Sequence, residues 1–290
     1  MPELPEVETI RLGLERRIVG KTLKNIEVLS PKTFSNYSQK LRGNKVLNVW
    51  RRAKMLGIEI SGNLTLVFHL KMTGQLVWVA GNKERETRLI GGHPTTDMRD
   101  QMPNKSTRVI FYFSDESKLY FNDQRKFGWV KVVNSSELIV RGEKILGKLG
   151  PEPLESGFDW EILKQNLLKH KSQPIKLALM DQSVVAGIGN IYANEVLFFA
   201  RVDPRRKVTT LSDAEIKKIY QGIKESLTTA IKHGGSTRAN FVNIEGEKGY
   251  FLDYANVYGK EGYKCNGCQG KIQKISLGGR GTYFCPACQK

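Results

Sequence analysis

The chain has 290 residues, of which 40% are apolar, and 46 Lys and Arg residues against 29 Asp and Glu residues give a formal net charge of +17. This length predicts two domains, or two domains with a small extra module. The positive charge favours a polyanionic partner such as nucleic acid, although a merely soluble basic protein has the same balance. No apolar run reaches the length of a membrane span, and the charged N-terminal segment is unlike a signal peptide.

The N-terminus, Met1-Pro2-Glu3, has the composition of a nucleophile with an acid beside it. If Met1 is trimmed, which the small Pro2 side chain permits, Pro2 carries a secondary amine. Such an amine forms a cationic iminium with an aldehyde-level carbon, the kind of electron sink that lysine more commonly supplies. Most chains that begin Met-Pro use no N-terminal catalysis, so these residues alone leave both interpretations open.

The next residues predict a helix that starts immediately after Glu3. Pro5 lies in the predicted first turn with acidic neighbours, Gly20 follows the last turn, and apolar residues recur at helical spacing at Val7, Ile10, Leu14 and Ile18. The dipole of this helix would disfavour protonation of the Pro2 amine, whereas Glu3 and Glu6 would oppose that effect. The sign of the net effect is left open.

Residues 21–133 have the pattern of short strands joined by polar turns, which predicts a β-sandwich. The clearest strand segments are 22–28, 64–68 and 109–113. Residues 80–106 are polar, contain Gly91-Gly92 and Pro94, and predict a long loop. Residues 134–157 predict a basic helix followed by a Gly-Pro hinge. The first domain is therefore expected to span residues 1–133 and the linker 134–157.

From Trp160 to Lys232 the apolar period becomes helical, which predicts a helical domain over residues 158–258. One apolar face is expected to contain Ile162, Leu163, Leu167 and Leu168. Ser212-Asp213-Ala214-Glu215 has a capping-box pattern before a further helix, and Gly234-Gly235 ends it. With the preceding sandwich, these helices indicate an α+β protein.

Four cysteines in the C-terminal segment 259–290 have the spacing Cys265-x2-Cys268-x16-Cys285-x2-Cys288, which is typical of a zinc ribbon. Four thiolates close the coordination sphere, so one structural zinc is expected, in a reducing compartment. The alternative is two adventitious pairs. Six Lys and Arg residues against one Glu over residues 260–290 predict that this hairpin faces phosphates, with Arg280 at its tip.

Several further motifs have two interpretations. Gly187-Ile188-Gly189-Asn190 lies between two helical stretches and is either a tight turn or a helix N-terminus that binds phosphate; without a preceding strand it is not a dinucleotide fold.

Lys54 follows Arg51-Arg52, and such a run of charged residues is usually solvated. The neighbours of Lys54 are strand-like and apolar, however, so alternate side chains would point to different faces. His69 is either a buried, hydrogen-bonded histidine or a phosphate contact. By composition, Met72 and Phe127 would be core residues.

The chain resembles bacterial formamidopyrimidine-DNA glycosylases over nearly its whole length. The shared blocks are Met1-Pro2-Glu3-Leu4-Pro5-Glu6-Val7-Glu8-Thr9, residues 51–54, 69–72, 123–128, 149–154 and 180–195, and residues 279–288. The resemblance implies a β-sandwich and a helix-two-turn-helix domain with a zinc ribbon, which clamp duplex DNA between them. The related endonuclease VIII family shares this architecture but usually opens differently after Pro2-Glu3.

The resemblance also implies roles for individual residues. Pro2 and Glu3 would be catalytic, Lys54 would contact the lesion phosphate and assist β-elimination, and Arg280 would contact phosphates and take part in δ-elimination. Met72 and Phe127 would form a wedge in the duplex and Arg125 would bind the widowed base. The remaining DNA-binding residues are then His69, Arg108, Lys171 and Asn190. Arg108 belongs to Lys105-Ser106-Thr107-Arg108, where the family usually has Lys-His-x-His.

The sequence thus predicts a bifunctional glycosylase and abasic-site lyase that removes oxidised purines from double-stranded DNA, acting as a monomer in the bacterial cytoplasm at the nucleoid. Residues 236–240 are expected to close over a flipped purine, or else to be a linker into the ribbon. Two alternatives remain: an endonuclease VIII-like enzyme for oxidised pyrimidines, and a zinc-ribbon DNA-binding protein without catalysis.

Overall fold

The computed structural model describes residues 1–81, 88–92, 102–140, 149–236 and 250–290. The chain forms two compact units, here called the N-terminal unit (residues 1–147 with 233–250) and the C-terminal unit (residues 148–232 with 251–290). Among the described residues, no helix is both long enough and apolar enough to cross a membrane.

The N-terminal unit contains helix α1 (Leu4–Ile18), two antiparallel sheets and the short helix α2 (Ser135–Val140). The five-stranded sheet has the order β1 (Leu23–Val28), β7 (Thr107–Phe113), β8 (Lys118–Asp123), β5 (Gly74–Val79) and β6 (Arg88–Gly92). The four-stranded sheet has the order β2 (Val46–Arg52), β3 (Met55–Ile60), β4 (Leu64–His69) and β9 (Trp129–Asn134).

One hydrophobic core joins α1 to both sheets, as the predicted sandwich requires. It contains Val7, Ile10 and Leu14 from the helix together with inward-facing strand residues such as Phe68 and Phe111. Helical spacing in α1 and alternation in the strands bring these side chains to one side of each element. The prediction of a loop over residues 80–106 was wrong in part: β6 pairs with β5 as an edge strand, because sheet hydrogen bonds stabilise a segment whose composition is not strand-like.

Strand register gathers several connections at one end of the sandwich. Met55 pairs with His69, and His69 pairs with Trp129, so β3, β4 and β9 are aligned at this end. In the other sheet, Gly74 pairs with Asp123. The connections 53–54, 70–73 and 124–128 leave the strands at these positions, and each carries at least one of the predicted site residues.

The C-terminal unit has helices α3 (Trp160–Leu167), α4 (Ile175–Met180), α5 (Asn190–Ala200), α6 (Asp213–Lys232) and α7 (Phe251–Tyr254), followed by a hairpin of β10 (Gln273–Leu277) and β11 (Arg280–Phe284). The predicted capping box is present: the Ser212 backbone N–H donates to the Glu215 carboxylate, and the Glu215 N–H donates to the Ser212 hydroxyl. Leu163 and Leu167 are buried, but Leu168 is 38% exposed because the chain tightens there into a 3-10 turn (Leu168–His170).

Candidate active site and nucleic-acid interface

The N-terminal residues are held rigidly against the start of α1. Pro2 is buried, and Glu3, which is 4% exposed, is the N-cap residue of the helix. Glu3 and Glu6 form a reciprocal capping box in which the Glu3 N–H donates to Glu6 Oε2 at 2.8 Å. Such a cap fixes the direction in which the chain enters the helix. The geometry therefore gives Pro2 a fixed position, with a carboxylic acid as its neighbour.

The second oxygen of Glu6 binds the beginning of the segment 236–240. The Ser236 N–H and hydroxyl donate to Glu6 Oε1 at 2.7 and 2.8 Å, and all of these atoms are buried. This contact connects the helix that carries Pro2 to the residue from which the predicted closing loop departs. Residues 237–240 of that loop lie outside the described residues.

Lys54 lies in the two-residue turn between β2 and β3 and is 7% exposed. The turn is fastened to α1 through Arg51, whose Nε donates to the Glu8 carboxylate at 3.0 Å and whose Nη1 donates to the Ala53 carbonyl at 3.1 Å. Ala53 has φ +54°, a left-handed conformation that is costly for alanine and is often found at functional sites. The structure thus places Lys54 among buried groups rather than on a solvated face.

His69 is half-buried at the end of β4, and its ring lies 5.7 Å from that of Trp129. Its Nδ1 accepts the Lys71 backbone N–H at 3.0 Å. Burial, reinforced by the charges of Lys71 and Lys54, lowers the pKa of His69 to about 4. The imidazole is therefore neutral at pH 7 with its proton on Nε2, so it offers a neutral hydrogen-bond donor instead of a cation.

Met72, Arg125 and Phe127 are surface residues and not core residues. Met72 is 41% exposed in the connection after β4, and Phe127 is 56% exposed in the connection after β8. The Arg125 guanidinium lies 5.0 Å from the centre of the Phe127 ring, a cation–π distance. Exposed apolar side chains next to a cationic donor suit insertion into a base stack.

Arg108 is engaged with the protein backbone. Its Nε donates to the Asp123 carbonyl at 2.8 Å, and its Nη1 donates to the carbonyls of Lys105 and Thr107 at 3.1 and 3.4 Å. These bonds bind β7 to the end of β8. The side chain that stands in the usual histidine position therefore supports the protein backbone at this end of the sandwich.

In the C-terminal unit, Asn190 is the first residue of α5, and Lys171 is an exposed residue that follows the 3-10 turn after α3. Gly189, the N-cap residue, has no side chain with which to cap the helix, as is suitable for a helix N-terminus that receives an anion. Asn190 is itself oriented by contacts: its Oδ1 accepts Lys176 Nζ at 2.7 Å, and its Nδ2 donates to the Gly281 carbonyl at 3.1 Å.

Arg280 is exposed at the start of β11, next to the tip of the hairpin. The tip is the two-residue turn Gly278-Gly279, and both residues have positive φ, which the tight hairpin turn requires. The fully buried Lys176 also donates to the Thr282 hydroxyl at 2.7 Å and to the Gly281 carbonyl at 3.1 Å. One ammonium group therefore connects Asn190 to the strand that carries Arg280.

The four cysteines converge on one point. Their sulfur atoms all lie within 4.8 Å of one another, with 3.7 Å between Cys265 and Cys288 and 3.5 Å between Cys268 and Cys285. A tetrahedron of thiolates about 2.3 Å from zinc has edges of about 3.8 Å, so the sulfur positions fit this metal. Closed four-thiolate coordination makes the zinc structural.

Comparison with known proteins agrees with these features. Three family models match the chain. The formamidopyrimidine-DNA glycosylase N-terminal domain matches residues 1–130, and the formamidopyrimidine-DNA glycosylase H2TH domain matches residues 149–241. The zinc finger found in FPG and IleRS matches residues 262–290. The formamidopyrimidine-DNA glycosylase of Pelotomaculum thermopropionicum is 39% identical over 100% of this chain and 99% of its own length. The chain belongs to the formamidopyrimidine-DNA glycosylase family. The enzyme of the same name from Listeria innocua is also 39% identical, with both chains fully covered.

Solved structures of this family include DNA complexes. A mutant of Lactococcus lactis Fpg in complex with Fapy-dG-containing DNA has a TM-score of 0.86 and 34% identity over the whole of both chains. The complex of Lactococcus lactis Fpg with abasic-site DNA has a TM-score of 0.85, also at 34% identity, and covers 99% of each chain. The likeness therefore extends over both units, the helical region and the cysteine hairpin.

Three supporting residues were missed by sequence reasoning. Lys176 lies among apolar neighbours at helical spacing, a local pattern that indicates a buried cation. Asp123 was noted only as part of a motif, although an aspartate before a turn often accepts backbone N–H groups. Glu195 accepts three consecutive backbone N–H groups, those of Asn256, Val257 and Tyr258, at 2.7–3.0 Å. No local pattern reveals the Glu195 contacts, because they join segments 61 to 63 residues apart.

Proposed function

We propose that this protein is a base-excision-repair glycosylase that removes oxidised purines, 8-oxoguanine and formamidopyrimidines, from duplex DNA and then cleaves the strand as an abasic-site lyase. The observation that carries the proposal is the buried Pro2-Glu3 pair fixed at the N-cap of α1, in a chain of this family. The complexes of the Lactococcus lactis enzyme with Fapy-dG and with abasic DNA support both activities.

In the proposed mechanism, removal of Met1 frees the Pro2 amine, which attacks C1′ of the everted nucleotide while the bond to the damaged base breaks. Glu3 protonates the sugar ring oxygen as the ring opens, leaving an iminium between Pro2 and C1′. The iminium makes the C2′ proton acidic, so its loss expels the 3′ phosphate by β-elimination. A second proton loss expels the 5′ phosphate by δ-elimination, and hydrolysis of the remaining iminium releases the sugar fragment as an aldehyde and restores the Pro2 amine.

The other site residues are proposed to bind DNA. Lys54 binds the lesion phosphate and assists β-elimination, and Arg280 binds phosphates and takes part in δ-elimination. Lys171, Asn190 and neutral His69 are further phosphate contacts. Met72 and Phe127 are the wedge, and Arg125 binds the base opposite the lesion. Arg108, predicted from the sequence as a DNA contact, is instead proposed to support the end of β8 through its hydrogen bonds to backbone carbonyls.

The proposed domains are a catalytic sandwich (1–133), a hinge (134–157), a helix-two-turn-helix domain (158–258) and a zinc ribbon (259–290). The zinc, held by Cys265, Cys268, Cys285 and Cys288, stabilises the hairpin that presents Arg280. The protein is proposed to act as a monomer at the chromosome in the bacterial cytoplasm, where thiolates stay reduced. Sedimentation of the protein with and without a lesion duplex measures its mass in solution, and we expect one protein chain in both cases.

Borohydride trapping tests the chemistry. The mature protein is incubated with abasic duplex DNA and borohydride, and the reduced adduct is mapped by peptide mass. We expect the adduct on Pro2. The matched protein has a Gly-Ser extension before Met1, so that Met1 stays attached and Pro2 has no free amine, and we expect no Pro2 adduct from it. Binding of that extended protein to abasic DNA is the control for folding. An adduct on Lys54 with Pro2 unmodified would refute the assignment, and binding without any adduct would indicate a non-catalytic binder.

Lesion choice separates this proposal from an oxidised-pyrimidine enzyme. The pyrimidine activity is included in the assay because wild-type Lactococcus lactis Fpg, with a TM-score of 0.84 and 34% identity, was solved with DNA containing an oxidised pyrimidine. We expect faster excision of 8-oxoguanine opposite C than opposite A, and slower excision of thymine glycol. Arg125→Ala should reduce discrimination of the opposite base by about 1–3 kcal/mol, the usual contribution of a base-edge pair. Faster excision of thymine glycol than of 8-oxoguanine would refute the proposed preference for oxidised purines.

A further inference from the structure

We infer that Asp123 and Thr73 are positioning residues that join the two exposed turns of the wedge into one rigid support. This inference rests on the proposed function, because the wedge acts only on a base that must leave the stack. The two turns are the connection 70–73, which carries Met72, and the connection 124–128, which carries Arg125 and Phe127. They belong to different strand pairs and are far apart in the sequence.

The Asp123 carboxylate is the centre of this support. Asp123 is fully buried, and its Oδ1 accepts the Thr73 hydroxyl and the Arg125 backbone N–H, the latter at 3.2 Å. Its Oδ2 accepts the Gly128 N–H at 2.6 Å. One carboxylate thus binds both ends of the turn 124–128 and the side chain of a residue in the other turn. Hydrogen bonds to a buried carboxylate are among the stronger ones in proteins.

The Thr73 hydroxyl completes the connection between the turns. It donates to Asp123 Oδ1 and accepts the Arg125 N–H at 3.0 Å, so it uses both capacities of a hydroxyl group. The Arg125 backbone N–H is therefore shared between Thr73 Oγ1 and Asp123 Oδ1, while the Arg125 side chain remains exposed beside Phe127. Gly128 permits this approach, since a Cβ there would lie 3.1 Å from Asp123 Oδ2 and 2.9 Å from the Phe121 ring.

The arrangement fits a wedge better than it fits general stability. Met72 and Phe127 are 41% and 56% exposed, so burial in the core does not fix their positions. A wedge has to hold its shape against the free energy of unstacking, which is a few kcal/mol per base step. The buried hydrogen bonds supply the rigidity that these exposed side chains lack, and the Arg108 contact with the Asp123 carbonyl adds a further support from behind.

Paired variants of Thr73 test this inference in the full-length mature protein. Thr73→Val keeps the volume and removes the hydroxyl, whereas Thr73→Ser keeps the hydroxyl and is the matched control. Single-turnover rates are measured on 8-oxoguanine in a duplex and on a preformed abasic site, where no base has to be extruded. We expect Thr73→Val to slow lesion excision by at least about tenfold and abasic cleavage by less than about twofold, with Thr73→Ser near wild type on both.

Asp123→Asn is the second variant and should give the same pattern, because its amide NH2 group would face at least one donor in either orientation: Thr73 and Arg125 at the Oδ1 position, or Gly128 at the Oδ2 position. Hydrogen exchange at the Arg125 and Gly128 amides is measured on the same proteins without DNA, and it should accelerate in Thr73→Val and Asp123→Asn alone. Equal slowing on both DNA substrates, or unchanged lesion excision by Thr73→Val, would overturn the inference. If the wild-type protein cleaves neither substrate, the proposed function fails. The amide exchange experiment still tests the inference in that case: unchanged exchange in Thr73→Val and Asp123→Asn would show that the two residues do not join the turns.

Discussion

The two units differ in what surrounds their functional residues. In the N-terminal unit, the candidate site residues lie on a helix start and on turns at the end of a sandwich whose large apolar core is shared by α1 and both sheets. In the C-terminal unit, the cysteine hairpin shares a small cluster formed by Val257, Cys265, Ile272, Tyr283 and Cys285. In the first unit, the apolar core and a few buried carboxylates can stabilise the turns. The hairpin has only a small apolar cluster, so further interactions have to stabilise it.

Buried polar side chains and the metal site provide those means. Asn194 Oδ1 accepts the Tyr283 N–H at 2.8 Å, and Gln289 bonds both Cys285 and the Val202 carbonyl at 2.8 and 2.9 Å. Lys176 binds the strand after Arg280. A small module that cannot bury enough apolar area depends on such specific contacts and on metal binding. The comparison therefore predicts that the cysteine hairpin responds more sharply to single polar substitutions than the sandwich does.

The largest effect is expected from Cys265→Ser. Loss of one thiolate should release the zinc, and structural zinc sites in small modules supply on the order of 10 kcal/mol of folding free energy. We expect no bound zinc, a disordered hairpin and roughly tenfold or weaker DNA binding, with the N-terminal sandwich still folded. Metal analysis and NMR spectra measure these quantities. Zinc-free protein that binds DNA like wild type would contradict the structural assignment; Gln273→Ala, at an exposed and uncharged position of the same hairpin, is the control.

Lys176→Met should have the next largest effect. The change leaves the buried acceptors Thr282 Oγ1 and Gly281 O without their ammonium donor, which costs about 1–3 kcal/mol of stability in the C-terminal unit. Urea unfolding is followed by fluorescence with and without Trp160→Phe, and the difference reports on the C-terminal unit, because the other tryptophans, Trp50, Trp78 and Trp129, belong to the N-terminal unit. The phosphate binding that we propose for Asn190 and Arg280 should weaken as well. Lys169→Met, at an exposed site, is the control. Equal effects of the two changes on the free energy of unfolding would refute a stabilising role for Lys176.

His69 makes the N-terminal unit sensitive to acid. Its pKa is lowered from 6.5 to about 4 by burial and by Lys71 and Lys54. Between these two values the unfolded chain binds more protons than the folded chain, so stability is lost as the pH falls from about 6.5 towards 4. We expect about 1–2 kcal/mol less stability at pH 5 than at pH 7 from this group. His69→Asn, which retains an acceptor for the Lys71 N–H, should flatten the profile of the N-terminal unit in urea unfolding. An unchanged slope would refute this prediction.

Lys171→Ala should have the smallest effect. An exposed phosphate contact contributes to every DNA complex equally, so affinity for lesion and undamaged duplexes should fall by the same factor. The slope of log K against log salt should decrease by about one unit. Titrations at several salt concentrations measure both quantities. A loss confined to lesion DNA would make Lys171 a recognition residue.

Sequence alone determined the features that depend on local pattern. Helical spacing and acidic residues after Glu3 predicted α1, alternation predicted the sandwich strands, and the cysteine spacing predicted the zinc site. These succeed because amphipathic periodicity and metal-ligand spacing are properties of short segments. The family resemblance supplied candidate roles for Pro2, Lys54 and the wedge, which spacing by itself could not assign.

Only the tertiary structure decided which side chains support the candidate site. The edge strand β6 formed in a segment predicted as a loop, because its stability comes from pairing with β5. Arg108 turned towards backbone carbonyls, Lys176 became a buried connection, and Asp123 joined two turns. Each of these side chains has at least one hydrogen-bond partner that is distant in sequence: Asp123 for Arg108, Thr282 for Lys176 and Thr73 for Asp123. A buried polar group is stable only where the fold provides those partners, and no local pattern shows where the fold will place them.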